Sequence, residues 1–285
     1  MNLKILYRGP LTSCNYGCVY CPFAKTKNTR EELAHDRRAL ERFIDWVEAH
    51  PEHRFGILMT PWGEGLIRRW YQEGLVRLSH MANVERAVIQ TNLSCPIGWA
   101  EEADRGALAL WATFHPEWVA REAFLEKCQA LHRMGVRLSV GVVGFPDFKE
   151  SIAEMRAALP EEVYLWINAV KRELDQLTEE DIRFFESVDP LYRVNTWLYP
   201  SQGRSCRAGA TTFSVDGDGT MRRCHFIAAP IGNIYEPDFE RFLMERPCSN
   251  AVCRCHIGYV HMDYLELGKV FGSGILERIP EGLNP

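Results

Sequence analysis

The sequence predicts an α/β protein in which six strand–helix units form a partial barrel, followed by a small C-terminal domain. Short β-rich runs alternate with helical stretches between Leu3 and Asn168, and this alternation is typical of βα units around a parallel sheet. One group of cysteines directly follows the first predicted strand, and a second group lies on and after a predicted β-hairpin near the C-terminus. We therefore expect the boundary between the two domains at residues 195 and 196, giving domains 1–195 and 196–285.

Each predicted element rests on its own pattern. The strands are expected at Lys4–Tyr7, Phe55–Met59, Ala87–Gln90, Leu108–Phe114, Arg137–Val143 and Val163–Asn168. The helices are expected at Arg30–Ala49, Ile67–Met81, Trp118–Met134, Lys149–Ala158 and Glu179–Ser187. The first helix is the clearest, because its apolar residues recur with a 3.6-residue period between polar faces.

Length and charge narrow the function classes. The chain has 285 residues, a formal charge of −5 and a pI near 6.0, so it offers no basic field for a nucleic-acid backbone or an anionic membrane. The first ten residues contain too short an apolar stretch for a secretory signal, and no later run approaches the ~18 apolar residues of a membrane helix. We expect a soluble cytoplasmic protein with neither nucleic-acid nor membrane partners.

The ten cysteines are expected to bind metal or take part in redox chemistry rather than form disulfides, because the cytosol keeps thiols reduced. Three of them lie in the first 21 residues and five lie between Cys206 and Cys255, while Cys95 and Cys128 stand alone. Two groups of ligands predict two metal sites.

Cys14, Cys18 and Cys21 have a spacing that suits an iron–sulfur cluster one ligand short of a full set. A four-iron cubane normally takes four thiolates, so three from one loop leave one iron open for chemistry. One alternative is the buried face of an amphipathic helix, but Asn15 and Gly17 are poor residues for a helix interior. The other is a zinc site, which lacks a fourth local ligand.

This run resembles the Cys-x3-Cys-x2-Cys signature of the radical S-adenosylmethionine (radical SAM) superfamily, with the aromatic Tyr20 before the last cysteine. The resemblance implies a (β/α)6 partial barrel of the TIM type and a 4Fe–4S cluster on three cysteines. It further implies that the open iron chelates S-adenosylmethionine, which an electron from the cluster cleaves to release a 5′-deoxyadenosyl radical. That radical abstracts hydrogen from the substrate.

The ends of the second and third strands match further elements of the family. Met59-Thr60-Pro61-Trp62-Gly63-Glu64 is similar to its Gly-Gly-Glu element, with Trp62 replacing the first glycine. The resemblance gives Glu64 the role of accepting hydrogen bonds from the cofactor's ammonium, and Gly63 allows a close approach of the backbone. Thr91 and Asn92 are expected beside the cofactor or substrate, although capping of the loop is equally plausible.

Other candidates lie singly along the predicted barrel. His115 follows the fourth strand and is expected to move protons or hold a substrate, with a solvated loop histidine as the alternative. Asn168 ends the sixth strand and is a further candidate. Cys95 follows the third strand, where a thiol facing the chamber can donate a hydrogen atom, but a lone cysteine such as Cys95 or Cys128 is more often a small buried hydrophobe.

Cys206 and Cys224 lie at the ends of a predicted hairpin with arms Thr211–Val215 and Thr220–Arg223. The stretch resembles the auxiliary-cluster module of radical SAM enzymes, called SPASM in its two-cluster form and twitch in its one-cluster form. The cysteines that follow depart from the two-cluster pattern, so the resemblance implies one auxiliary 4Fe–4S cluster.

The ligands of that cluster are expected to be Cys206, Cys224 and two of Cys248, Cys253 and Cys255. The fifth thiol is then idle, exchanges with a ligand or contacts the substrate. A structural zinc ribbon is the alternative for this half of the chain.

These features predict a radical SAM oxidoreductase that takes an electron from an external donor such as flavodoxin or ferredoxin. The resemblance implies oxidation of a peptide or protein, or of a small natural-product substrate. Because the sequence starts at the first strand, a peptide is expected to need a separate carrier or direct binding. The rival from another class is a non-catalytic iron–sulfur or zinc protein for electron transfer or binding.

Overall fold

Nine strands form one sheet in the computed structural model, which describes residues 1–23, 26–171 and 173–282. The strand order is β10-β9-β8-β1-β2-β3-β4-β5-β6, and β1 to β6 and β8 run parallel, whereas β9 runs antiparallel to its neighbours β8 and β10. The two short strands β7 and β11 pair separately. The protein is thus a mixed α/β protein built on a large parallel sheet.

The elements have the following bounds. The strands are β1 Asn2–Arg8, β2 Arg54–Met59, β3 Val84–Thr91, β4 Leu108–Phe114, β5 Arg137–Val143, β6 Tyr164–Asn168, β7 Tyr199–Pro200, β8 Thr212–Asp216, β9 Thr220–Arg222, β10 Pro230–Asn233 and β11 Val252–Cys253. The α-helices are α1 Arg30–Glu48, α2 Arg69–Ser79, α3 Arg121–Arg133, α4 Lys149–Ala158, α5 Glu179–Val188, α6 Tyr192–Thr196, α7 His256–Tyr259 and α8 Leu267–Phe271. None of the helices in these ranges has the length and apolar character needed to cross a bilayer.

The six predicted strands and five predicted helices are all present, with ends that differ by at most three residues. The third unit differs from its neighbours, because β3 is followed by a short 3-10 segment, Gly98–Glu102, rather than an α-helix. Helix α1 begins where its sequence specifies: the Thr29 hydroxyl accepts from the Glu32 amide at 3.2 Å and the Glu32 carboxylate accepts from the Thr29 amide at 2.7 Å. This reciprocal cap fixes the start of the helix.

The two faces of the sheet are covered differently. Helices pack on one face, where the alternate strand residues Leu3, Ile5 and Tyr7 join the main apolar core. The opposite face is covered by the C-terminal segment, residues 257–276, in a second apolar cluster. Its sheet residues are Leu6, Leu58, Val88, Ala109, Trp111, Tyr164 and Trp166. The C-terminal segment therefore lies against the inner face of the six-strand array, opposite the helices.

The predicted hairpin is present and continues the main sheet. Strand β8 pairs in parallel with β1, from Lys4 opposite Thr212 to Arg8 opposite Asp216, and β9 and β10 extend the sheet beyond it. This pairing joins residues that are about two hundred positions apart in the chain. The sheet consequently runs across the expected boundary at residues 195 and 196, and the division into domains stays a prediction.

Asp36 is a buried carboxylate that ties α1 to its surroundings. It accepts hydrogen bonds from the Leu11 amide at 3.1 Å, the Trp70 indole at 2.8 Å and the Tyr71 hydroxyl at 3.1 Å. Burial raises the pKa of Asp36, and these three donors partly offset that effect. Because Leu11 precedes the first cysteine group, this one side chain connects the two helices to the loop that carries those cysteines.

Replacing Asp36 by Ala is expected to lower the free energy of unfolding by about 3 kcal/mol, because it leaves three donors without an acceptor in the interior. Urea unfolding at pH 7 measures the change. Glu41→Gln on the exposed face of the same helix, where Glu41 pairs only with Arg37, is the matched control and should change stability by less than about 0.5 kcal/mol. Equal effects of the two substitutions would contradict this account.

Candidate functional site

The loops that follow β1 to β4 meet at the carboxyl edge of the sheet, where ligands bind in parallel α/β folds. They enclose a cavity of about 220 Å³, here called the three-cysteine cavity. It is lined by Cys14, Tyr16, Cys18, Cys21, Phe23, Pro61, Trp62, Gly63, Glu64, Gln90, Thr91, Asn92, Trp111, Thr113, His115 and Trp166. The fold therefore gathers in one place most of the residues that the sequence identified in four separate units.

The cysteine loop is held by polar contacts that begin before its first cysteine. The Asn28 side-chain oxygen accepts from the Thr12 amide at 2.9 Å and the Ser13 amide at 2.8 Å. Within the loop, the Cys14 sulfur accepts from the Tyr16 amide at 3.4 Å and the Cys21 amide donates to the Cys18 carbonyl at 3.2 Å. Burial raises the pKa of the Cys14 and Cys18 thiols. The loop thus presents its sulfurs to the cavity from a fixed backbone.

Glu64 is the central polar group of the cavity and is only 4% exposed. One carboxylate oxygen accepts from the Leu66 amide at 3.0 Å and the Thr91 hydroxyl at 2.8 Å, and the other accepts from the Asn92 amide at 2.6 Å. Burial raises its pKa more than these hydrogen bonds lower it. Glu64 forms no ion pair with any residue that the structure describes, so neutral hydrogen-bond donors alone stabilise its charge.

Gly63 brings the Glu64 loop against the cysteine loop. Its amide donates to the Leu11 carbonyl at 3.2 Å, and the Glu64 amide donates to the Ser13 carbonyl at 3.1 Å. A Cβ at position 63 would lie 1.9 Å from the Ser13 carbonyl oxygen, so only glycine fits. The close backbone approach expected of this glycine is made to the cysteine loop, while the residue also lines the cavity.

Thr91 and Asn92 connect Glu64 to the cysteines. The Thr91 hydroxyl, besides donating to Glu64, accepts from the Leu93 amide at 2.9 Å. The Asn92 side chain donates to the Asn15 side-chain oxygen at 3.0 Å and lies 3.8 Å from the Cys14 sulfur. Leu93 has a φ of 53°, a left-handed conformation that is costly for a branched apolar residue. This strained turn aims the Asn92 amide at Glu64.

His115 lies in the cavity against the cysteine loop. Its Nδ1 lies 2.7 Å from the Tyr20 hydroxyl and 3.5 Å from the Cys18 sulfur, and the Tyr20 and His115 rings stack at a centroid distance of 6.0 Å. Burial lowers the pKa of His115 to about 4, so the ring is neutral at pH 7. Tyr20 itself does not line the cavity and reaches it through His115.

Two of the single candidates lie outside the three-cysteine cavity. Asn168 is exposed at the end of β6, where its carbonyl accepts from the Gly144 amide at 2.9 Å. Cys95 packs in the main apolar core, and burial raises its pKa to about 11. The expectation of a thiol facing the chamber at position 95 therefore finds no support in this geometry. Cys128 is likewise a core residue, as expected.

The second cysteine group lines a separate cavity of about 420 Å³, here called the four-cysteine cavity. Cys206, Cys224, Cys248 and Cys253 all line it, whereas Cys255 does not. Burial raises the pKa of the Cys206 and Cys224 thiols, and it raises that of Cys253 to about 12. The spacing left open which four of the five thiols bind a metal together. In the structure, four of the five share one cavity.

Cys255 points towards a different environment. Burial raises its pKa, and the charges acting on the thiol are the cations Arg278, Lys171 and Arg8. The Arg278 guanidinium lies 4.3 Å from the centroid of the Trp166 ring, and Trp166 lines the three-cysteine cavity. Cys255 thus lies beside these cations and outside the lining of the four-cysteine cavity.

Several residues that hold the two sites were missed by sequence reasoning. Asp36 carried a signal, since it interrupts the apolar stripe of α1 between Leu33 and Leu40. No signal in the sequence pointed to Arg223. Its buried side chain donates to the Ala208 carbonyl at 2.9 Å and also to the Pro247 carbonyl. By these bonds it joins the segments that carry Cys206 and Cys248, a role visible only in three dimensions.

Comparisons with known structures place the fold. Native anSMEcpe with bound AdoMet and Cp18Cys peptide aligns with a TM-score of 0.56 and 13% identity over 85% of this chain and 80% of that chain. Native anSMEcpe with bound AdoMet aligns with a TM-score of 0.55 and 14% identity over 84% and 80%. BtrN in complex with AdoMet and 2-DOIA aligns with a TM-score of 0.39 and 15% identity over 81% of this chain and 78% of that chain. This score is too low to establish a shared fold. At these identities the likeness to anSMEcpe establishes a shared fold.

At the level of sequence, no protein-family model and no curated protein matches the chain.

The pH dependence of stability tests the environment of Glu64. Since its folded-state pKa is raised, the protonated carboxyl favours the folded state below the unfolded pKa of about 4.3, and this contribution is lost as pH rises through the raised value. The stability of the parent protein relative to Glu64→Gln should therefore fall from pH 4 towards pH 7. Urea unfolding across that range measures the slope, with Glu41→Gln as the exposed control. A relative stability that rises with pH would refute the buried, unpaired carboxylate.

Proposed function

We propose that this protein is a radical SAM enzyme, an oxidoreductase that reductively cleaves S-adenosylmethionine and abstracts hydrogen from a substrate. The observation that carries the proposal is the three-cysteine cavity: three thiols from one loop lie beside a buried carboxylate that forms no ion pair among the described residues. The six-strand parallel array is, on this proposal, the partial (β/α)6 barrel of that family. The shared fold with anSMEcpe, whose structures hold AdoMet, supports it.

The residues of the three-cysteine cavity fit both groups that the proposal requires. Cys14, Cys18 and Cys21 would hold a 4Fe–4S cluster and leave one of its irons without a protein thiolate. Glu64 would accept hydrogen bonds from the ammonium of S-adenosylmethionine, since an uncompensated buried carboxylate is stabilised by a cation. When bound and reduced, the cluster supplies the electron that cleaves S-adenosylmethionine to the 5′-deoxyadenosyl radical.

The remaining residues of this cavity have two roles: some orient the Glu64 carboxylate, and others form the wall of the cavity. Thr91 and Asn92 orient the Glu64 carboxylate through the bonds described above, and Asn92 also fixes the loop beside Cys14. Trp111 and Trp166 also line the cavity and contact each other edge to face at 5.4 Å. Both indoles are almost fully buried, and their bulk would limit the access of water to a radical.

The four-cysteine cavity would hold one auxiliary 4Fe–4S cluster, with Cys206, Cys224, Cys248 and Cys253 as its ligands. A tetrahedral zinc site with Zn–S bonds of about 2.3 Å requires sulfurs only about 3.8 Å apart. Among the described residues, the one trio of ligand atoms within 4.8 Å of one another is Glu52, His53 and Glu240, so the thiols are spaced more widely than zinc requires. A cubane places each ligand on a different iron and accommodates that spacing.

A peptide or protein is the substrate class we propose, with a small natural-product molecule as the alternative. The neighbour anSMEcpe is described with bound peptides, and exposed aromatic rings at Phe23, Trp62 and Phe226 border the space between the two cysteine sites. Such rings bind chain segments through apolar contact. Flavodoxin or ferredoxin is the proposed electron donor, and a reducing compartment such as the cytoplasm suits ten free thiols.

Anaerobic reconstitution with iron and sulfide tests the cluster assignment. The parent protein should bind about eight irons, and replacing Cys14, Cys18 and Cys21 together by Ala should leave about four. Replacing Cys206 and Cys224 together should also leave about four. Cys255→Ala is the matched control, because this thiol does not line the cavity, and it should keep all eight. Two zinc ions in place of iron, or loss of iron in the control, would count against the assignment.

Binding and cleavage of S-adenosylmethionine test the role of Glu64. Removing the charge with Glu64→Gln should weaken binding by about 10- to 100-fold, since a hydrogen bond to a charged group contributes about 1.5–3 kcal/mol. Titration of the reconstituted protein measures the affinity, and release of 5′-deoxyadenosine after reduction with dithionite measures cleavage. A parent protein that releases no 5′-deoxyadenosine, although loaded with iron, would favour the rival function of electron transfer.

A further inference from the structure

A groove of about 620 Å³ lies between the two cysteine sites. Trp62 lines both this groove and the three-cysteine cavity, and Phe226 lines both the groove and the four-cysteine cavity. The groove also contains Arg8, at the carboxyl end of β1, and Arg222, at the end of β9. The groove therefore borders both cysteine sites.

Arg8 is a partly buried cation whose partners are all neutral. Its Nη2 donates to the Thr60 hydroxyl at 3.3 Å and to the His225 Nε2 at 3.3 Å. Its guanidinium lies 3.9 Å from the centroid of the Trp62 ring. Burial lowers the pKa of Arg8 to about 10, which still leaves it charged at pH 7. It forms no ion pair with any residue in the described part of the chain.

The carboxylate that acts electrostatically on Arg8 already has another ion-pair partner. Asp216 acts on Arg8 at a distance, but it forms an ion pair with Arg222. Asp218, the other carboxylate that lines the groove, accepts from the Thr220 amide at 3.0 Å, and the cations Lys171 and Arg278 act together with Arg8 on the Cys255 thiol. Holding a desolvated cation without a counter-ion is costly, and such a cost is typical of groups that a ligand completes.

We propose that Arg8 binds a carboxylate of the substrate. Trp62 stacks on the guanidinium, Thr60 and His225 hold one edge of it, and Nη1 has no hydrogen-bond partner among the described residues. A planar guanidinium with a free edge matches the geometry of a carboxylate. Arg8 lines the groove but not the three-cysteine cavity, so this group belongs to the substrate rather than to S-adenosylmethionine.

The inference rests on the proposed function, since it names the substrate class of the same site. It specifies a carboxylate-bearing substrate, which an acidic peptide or a small organic acid supplies. The apolar rings of Trp62 and Phe226 on either side of Arg8 favour the peptide.

The test compares two peptides that differ in one group, acetyl-Ala-Phe-Glu-Phe-Ala-amide and its Gln counterpart, by calorimetric titration of the reconstituted protein. The parent should bind the Glu peptide about 10-fold more tightly, as expected of one charge-assisted pair. Arg8→Met should abolish this preference, whereas Arg241→Met, which removes an exposed cation outside the groove, should retain it. Glutarate should compete if a small acid suffices, and inorganic phosphate should compete only weakly.

The stability of the Arg8→Met variant distinguishes a role of Arg8 in binding from a role in folding. Since Arg8 forms no ion pair within the described ranges, Arg8→Met should leave the urea midpoint unchanged or higher, and the affinity for S-adenosylhomocysteine should not change. Equal affinities of the parent for the two peptides, absence of binding by both, a preference retained in Arg8→Met, or phosphate competing as strongly as the Glu peptide would each overturn the proposal. The assay needs no turnover, so its failure leaves S-adenosylmethionine cleavage intact, and a failure of cleavage does not alter its outcome.

Discussion

The pairing of β1 with strands on both sides is the constraint on which the two sites depend. Strand β2 on one side leads into the Glu64 loop, and β8 on the other side leads through β9 to Cys224. The register of these parallel ladders fixes how far each loop lies from the cysteine loop that follows β1. A shift of one residue would turn every side chain of β1 to the opposite face, and Arg8 would then point to the helices instead of the groove.

Electrostatics sets the character of the space between the sites. Among the described residues, neither the buried Glu64 carboxylate nor the partly buried Arg8 guanidinium forms an ion pair, and Trp62 lines both the cavity of the one and the groove of the other. Each is kept in place by neutral hydrogen-bonding partners, which orient a charge without cancelling it. Opposite charges held apart in this way suit two different ligands, one cationic and one anionic, and favour their binding side by side.

The sequence was sufficient to predict the parallel α/β class, six strands, five helices and the loop that carries the first three cysteines. Periodicity and capping are local signals, and β1 to β6 follow each other in order, so local reasoning succeeds. The pairing of β8 with β1 and the choice of four cysteines out of five depend on contacts between distant parts of the chain, which spacing does not encode. For Cys95 the sequence left open a thiol facing the chamber or a small buried hydrophobe, and the structure places the residue in the main apolar core.

The way in which the C-terminal segment covers the inner face of the sheet has a consequence for biosynthesis. Residues 257–276 leave the ribosome after β1 to β6, yet Leu6, Leu58 and Val88 depend on them for burial. Until this segment docks, the face stays uncovered, and exposed apolar strands are prone to aggregate. We expect nascent chains to rely on chaperones during that interval.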